Sequence, residues 1–96
     1  MISWDEEKER WLLMTRGISF QEIADKILAR EYIDILENPA RPGQDIFVLA
    51  IHDYTWVVPF VLQEDENLFL KTAYPSRKFH KRYGGRHAKE ERIGPP

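Results

Sequence analysis

Asp45-Ile46-Phe47-Val48-Leu49-Ala50-Ile51, then His52-Asp53, then Tyr54-Thr55-Trp56-Val57-Val58-Pro59-Phe60-Val61-Leu62: two apolar runs rich in β-branched and aromatic side chains meet at two polar residues, the pattern of a β-hairpin. Glu64-Asp65-Glu66-Asn67 is the next turn, kept soluble by its charge, and Leu68 to Tyr74 is a further strand. Short polar turns between such runs predict an antiparallel meander. Pro59 interrupts the pattern, because proline has no N–H for the ladder. It predicts a bulge, an edge or a shorter strand.

Upstream, Asn38-Pro39-Ala40-Arg41-Pro42-Gly43 is a loop, and Tyr32 to Leu36 before it reads as one more strand. Ser19-Phe20-Gln21-Glu22 is a capping box. It predicts a helix with Ser19 as N-cap, stapled by Ile18 and Ile23, and running to about Arg30 with Phe20, Ile23, Ala24, Ile27 and Leu28 on its core face. An earlier helix starts near Asp5, capped by Ser3 or Asp5, and stops at Gly17. Ile2 to Trp4 is a candidate first strand. All three tryptophans are expected in the core. Downstream, Ser76 caps a short helix, Arg77 to Tyr83, which Gly84-Gly85 closes. The order is β-α-α-β-β-β-β-α. The fold class is therefore α+β, with N-terminal helices packed on a small antiparallel sheet and a short C-terminal helix. Residues 1–86 make one domain, and residues 87–96 are expected to form a disordered tail.

The chain has 96 residues, 43% of them hydrophobic, and no cysteine. Disulfides, thiol nucleophiles and cysteine-ligated zinc are excluded. His52, His80 and His87 lack metal-ligand spacing, so neither a metal site nor a cofactor is expected. No apolar run is long enough for a membrane helix, and a cytoplasmic location is expected. The net charge of −2 hides an asymmetry: residues 1–66 hold 6 Lys/Arg against 14 Asp/Glu, whereas residues 67–96 hold 8 against 2. A basic segment in a near-neutral chain still attracts polyanions.

That segment runs from Lys71 to Arg86. Lys78, Lys81 and Arg82 share one face of the last helix, with Tyr83 and Arg86 beyond. Cations beside aromatic rings suit RNA, whose phosphates bind charge and whose unpaired bases stack. These five residues are the candidate RNA-binding set. Metal-free RNA cleavage needs a base for the 2′-hydroxyl, charge stabilisation at phosphorus and an acid for the leaving oxygen. Arg77 is the candidate for phosphate charge; Lys71, Tyr74 and His80 are the candidates for acid–base or orienting roles.

Several of these motifs resemble BrnT-type toxins. Trp4-Asp5-Glu6-Glu7-Lys8 resembles their W-D-x-x-K opening. Arg16-Gly17-Ile18-Ser19-Phe20-Gln21-Glu22 is similar to their H-G-[IV]-S-F-x-E junction. Ser76-Arg77-Lys78 with Lys81-Arg82-Tyr83 resembles their basic C-terminal end. Val57-Val58-Pro59-Phe60-Val61, Phe69-Leu70-Lys71-Thr72 and Pro75-Ser76-Arg77-Lys78 are similar to a BrnT-like branch of toxins. The resemblance covers roughly residues 2–84. It implies a RelE-superfamily fold, an endoribonuclease acting on messenger RNA on or off the ribosome, and a cognate antitoxin protein that masks the basic surface. It also places Arg77 at the first arginine of the family's motif. Arg16 stands where the family has histidine, and Lys78 where it has a second arginine. The expected function is thus the toxin of a type II toxin–antitoxin pair. The runner-up is a non-catalytic nucleic-acid-binding module with the same basic surface, and the third reading is a protein-interaction domain for an acidic partner.

Overall fold

The computed structural model describes residues 1–92, with side chains through 84. The elements are β1 (Ile2–Trp4), α1 (Glu6–Arg16), α2 (Phe20–Leu28), β2 (Asp34–Glu37), β3 (Asp45–Ile51), β4 (Tyr54–Leu62), a 3-10 turn (Glu64–Glu66), β5 (Leu68–Leu70), β6 (Tyr74–Pro75) and α3 (Arg77–Arg92). Local signals explain most boundaries. The Asp5 carboxylate accepts the Lys8 N–H at 2.9 Å, so Asp5 rather than Ser3 caps α1. Gly17 takes φ 72° and its N–H closes α1 onto Leu13, a left-handed stop that glycine adopts at little cost. Ser19 accepts the Glu22 N–H at 3.0 Å. Glu9 on α1 accepts the Phe20 N–H at 2.7 Å, so the first helix also caps the second.

The sheet order is β1-β5-β4-β3-β2, and β6 also pairs with β4. The meander from β2 to β5 is antiparallel as expected. The sheet as a whole is mixed, because β1 runs parallel to β5, with Ile2 opposite Leu68 and Trp4 opposite Leu70. Alternation along the strands produces two apolar layers. Phe47, Leu49, Ile51, Trp56, Val58 and Phe60 face α1 and α2, where they meet Leu12, Ile18, Phe20, Ile23 and Ile27. Ile46, Val48 and Val57 face the other way, toward Phe79 and Tyr83 of α3. The sheet is therefore covered by helices on both faces.

Four expectations need correction. The strand expected over 68–74 is broken into β5 and β6. The strand expected at 32–36 begins only at Asp34. Gly84-Gly85 does not end the last helix, which continues to Arg92; residues 93–96 of the expected tail and the Arg86 side chain lie outside the described residues. Gly84 has a packing role instead. A Cβ there would stand 3.1–3.3 Å from the His80 ring, so glycine lets that ring lie against the helix. Trp56 is buried and Trp4 stacks on Phe20 at 5.7 Å, but Trp11 is 40% exposed, outside the core. Its ring lies beside two cations, Lys8 Nζ at 4.4 Å and the Arg16 guanidinium at 4.8 Å, which stabilise an exposed indole.

Candidate active site

The break between β5 and β6 follows from Pro59. In an antiparallel strand a residue's N–H and C=O point to the same side. The Pro59 carbonyl accepts the Lys71 N–H at 2.8 Å, so its missing N–H also faces the β5–β6 chain. At that point pairing slips by one residue. Phe60 lies opposite Leu70 and Val57 opposite Tyr74, so three steps along β4 face four steps on the partner. The extra residue makes a bulge over 71–73. The chain rejoins the ladder at Tyr74, and the Ser76 N–H then donates to the Thr55 carbonyl at 3.0 Å. Arg16, from the end of α1, donates its Nη1 to the Ala73 carbonyl and pins the bulge from behind.

The bulge opens a cavity of about 410 Å³. Lys71, Thr72 and Tyr74 line it from the bulge, with Pro59 from β4. Asn38, Ala40, Arg41 and Gln44 line it from the β2–β3 loop, and Lys8 reaches it from α1. The lining thus holds three cations, two amides and two hydroxyls, and no carboxylate. Three cations around one concave surface concentrate field lines and draw in an anion. Lys71 and Tyr74 are exposed, so both side chains are accessible to a ligand there.

The other candidates fall elsewhere. Arg77, Lys78, Lys81 and Arg82 are exposed along the first two turns of α3 and do not line the cavity. Lys78 and Arg82 lie over the rings of Phe79 and Tyr83 on their own helix, at 5.7 and 5.3 Å. Tyr83, in the RNA-binding set by sequence, packs on the sheet together with Phe79. Its ring is 6% exposed and packed beneath α3, and its hydroxyl donates to Asp34 Oδ2 at 3.0 Å. His80 is not free either. Its ring stacks on Tyr54 at 4.1 Å, and Nδ1 lies 3.0 Å from the hydroxyl of Thr55, a fully buried residue. Those contacts make it a packing residue joining α3 to β4. Ser76 caps α3 as expected, accepting the Phe79 N–H at 3.1 Å.

Of the sequence candidates, Lys71 and Tyr74 line this cavity; Lys8, Arg41, Asn38 and Gln44, which also line it, were not among them. One signal for them was present. A proline inside a strand predicts a bulge, and a bulge re-aims side chains toward whatever loop lies across from it.

No family model matches the chain, and no curated protein does. Among solved structures it is similar to the Brucella abortus ribonuclease toxin BrnT. The TM-score is 0.59 at 14% identity, over 79% of this chain and 97% of that one. The likeness is one of fold: an α+β domain with helices packed against a mixed sheet and a helix at the C-terminus. Among the described residues no helix is long and apolar enough to cross a membrane.

Proposed function

We propose that this chain is the toxin of a bacterial type II toxin–antitoxin pair and that it cleaves single-stranded RNA at the cavity beside the β5–β6 bulge, without a metal. The observation that carries this is the convergence of Lys8, Arg41, Lys71 and Tyr74 on one carboxylate-free cavity, in a fold similar to that of a ribonuclease toxin. The family motifs at residues 4–8, 16–22 and 76–83 point the same way, toward a RelE-superfamily toxin that works in the cytoplasm and is masked by an antitoxin.

In the reaction, the 2′-oxygen attacks phosphorus in line and gives its proton to solvent water, the bond to the 5′-oxygen breaks, and that oxygen takes a proton from the Tyr74 hydroxyl, which solvent then reprotonates. The products are a 2′,3′-cyclic phosphate and a 5′-hydroxyl. Lys71, Arg41 and Lys8 stabilise the negative charge that builds on the phosphorane oxygens. The Tyr74 hydroxyl orients the leaving oxygen and can protonate it. Arg77, Lys78, Lys81 and Arg82 hold the flanking RNA backbone along α3.

The test is incubation of the purified chain with end-labelled single-stranded RNA in excess chelator, with product ends mapped. Cleavage leaving cyclic phosphates, reduced about a hundredfold or more in Lys71→Ala and tenfold or more in Tyr74→Phe, is the expected result. RNA that is bound but stays intact would instead make the chain a nucleic-acid-binding module, a reading favoured by the row of exposed cations on α3.

A further inference from the structure

We infer that the same cavity takes one nucleotide unit and reads the N6/N7 edge of its base, with adenine preferred, through the Gln44 side-chain amide that Asn38 orients. The inference rests on the RNA reading above and adds what decides where the RNA is cut.

The β2–β3 loop is built rather than loose. Asn38 N–H donates to the Gln44 carbonyl at 3.0 Å, Arg41 N–H to the Asn38 carbonyl at 3.2 Å, and Gln44 N–H to the Arg41 carbonyl at 3.1 Å. Pro39 and Pro42 restrict the backbone between these bonds, and Gly43 takes the left-handed turn at φ 88°. A loop already held in shape loses little conformational entropy when a ligand arrives.

A chain of hydrogen bonds also sets which way the amides point. Asn38 Oδ1 accepts the Ala40 N–H at 3.0 Å, so Asn38 Nδ2 is the end turned toward Gln44. It meets Gln44 Oε1 at 3.4 Å. Gln44 Nε2 is therefore directed away from Asn38, and among the described residues it has no hydrogen-bond partner. Gln44 thus offers a donor at Nε2 beside an acceptor, Oε1, with a lone pair to spare. Adenine presents the complement, a donor at N6 beside an acceptor at N7. Guanine presents two acceptors on that edge. Ala40 and Pro59 supply apolar surface for the face of the base, while Arg41 and Lys71 hold its phosphate. One loop consequently carries both a phosphate ligand and a base-reading group.

Four 5′-phosphorylated 2′-O-methyl trinucleotides, identical except for A, G, C or U at the centre, test this by equilibrium binding to the full chain. The 2′-methyl blocks attack on phosphorus, so affinity is read whether or not the protein cleaves. Adenine should bind tightest, by about fivefold or more over guanine, the lower end of what a pair of hydrogen bonds to a base edge supplies. Gln44→Ala and Gln44→Leu, both with unchanged circular dichroism, should each remove that preference. Lys71→Ala should weaken all four ligands by a similar factor. Any order in which adenine is not first, or a preference for adenine that survives both Gln44 variants, overturns the base-reading site. Cleavage of ordinary RNA with no base preference would leave the ribonuclease reading standing and this one refuted.

Discussion

Arg16, the last residue of α1, ties that helix to the bulge. Its guanidinium lies over Trp11 and donates to the Ala73 carbonyl, reaching from α1 to the bulge behind Lys71 and Tyr74. A hydrogen bond from a charged group is worth about 1.5–3 kcal/mol. Arg16→Ala is expected to lower stability within that range. It should also slow RNA cleavage at least tenfold while RNA affinity falls less, since the bulge loses its anchor but the cations remain. Arg16→Lys should recover part of the rate; equal rates for Arg16→Ala and the parent chain would dismiss the anchoring role. Tyr83→Phe offers the contrast. It removes the bond to Asp34 and should cost about 1 kcal/mol with cleavage unchanged. At this scale the sequence was partly legible. Lys71 and Tyr74 lie three residues apart, on opposite faces of the strand expected there, and it is the bulge that lets both line the cavity. Arg41 and Lys8 join them only through tertiary packing, and nothing in their own neighbourhoods announces it.

Among the elements, the helix starts were readable because a cap is a local event: Asp5, Ser19 and Ser76 each bond an N–H three residues ahead. The break at 71–73 was not. Pro59 announced a missing donor, but whether that gap would face β3 or the β5–β6 chain depends on register, which is set by pairing across the sheet. Glycine misled for a related reason. Gly84-Gly85 resembles a helix stop until the His80 ring is seen lying against Gly84. Gly84→Ala should therefore reverse the usual trend. Alanine in a helix interior gains about 1 kcal/mol over glycine, but crowding a packed ring costs roughly 1–3 kcal/mol. Chemical denaturation should show a net loss; a gain would mean that the His80 stack yields easily. The β3–β4 turn points the other way. His52 and Asp53 both take positive φ, 52° and 64°, where side chains are strained and glycine is not. Asp53→Gly should raise stability by up to about 1 kcal/mol.

For the molecule as a whole, the α+β class was legible from alternating and helical periodicities, and the mixed sheet was not, because the three residues of β1 carry no sign of which strand they will join. Helices on both faces leave a two-sided core in a small domain, so single core truncations weigh heavily. Leu12→Ala, at a site with no exposure, should cost about 2–5 kcal/mol against a total of roughly 5–15; a fall in Tm below about 5 °C would show that α1 repacks readily. The parallel pairing of β1 with β5 has a further consequence, one of timing. Residues 2–4 find their partners only at 68–70, and the cavity draws on positions from Lys8 to Tyr74. During synthesis the first strand stays unpaired until residues 68–70 have left the ribosome. A chain cut short before residue 68 therefore has neither a closed sheet nor an assembled cavity.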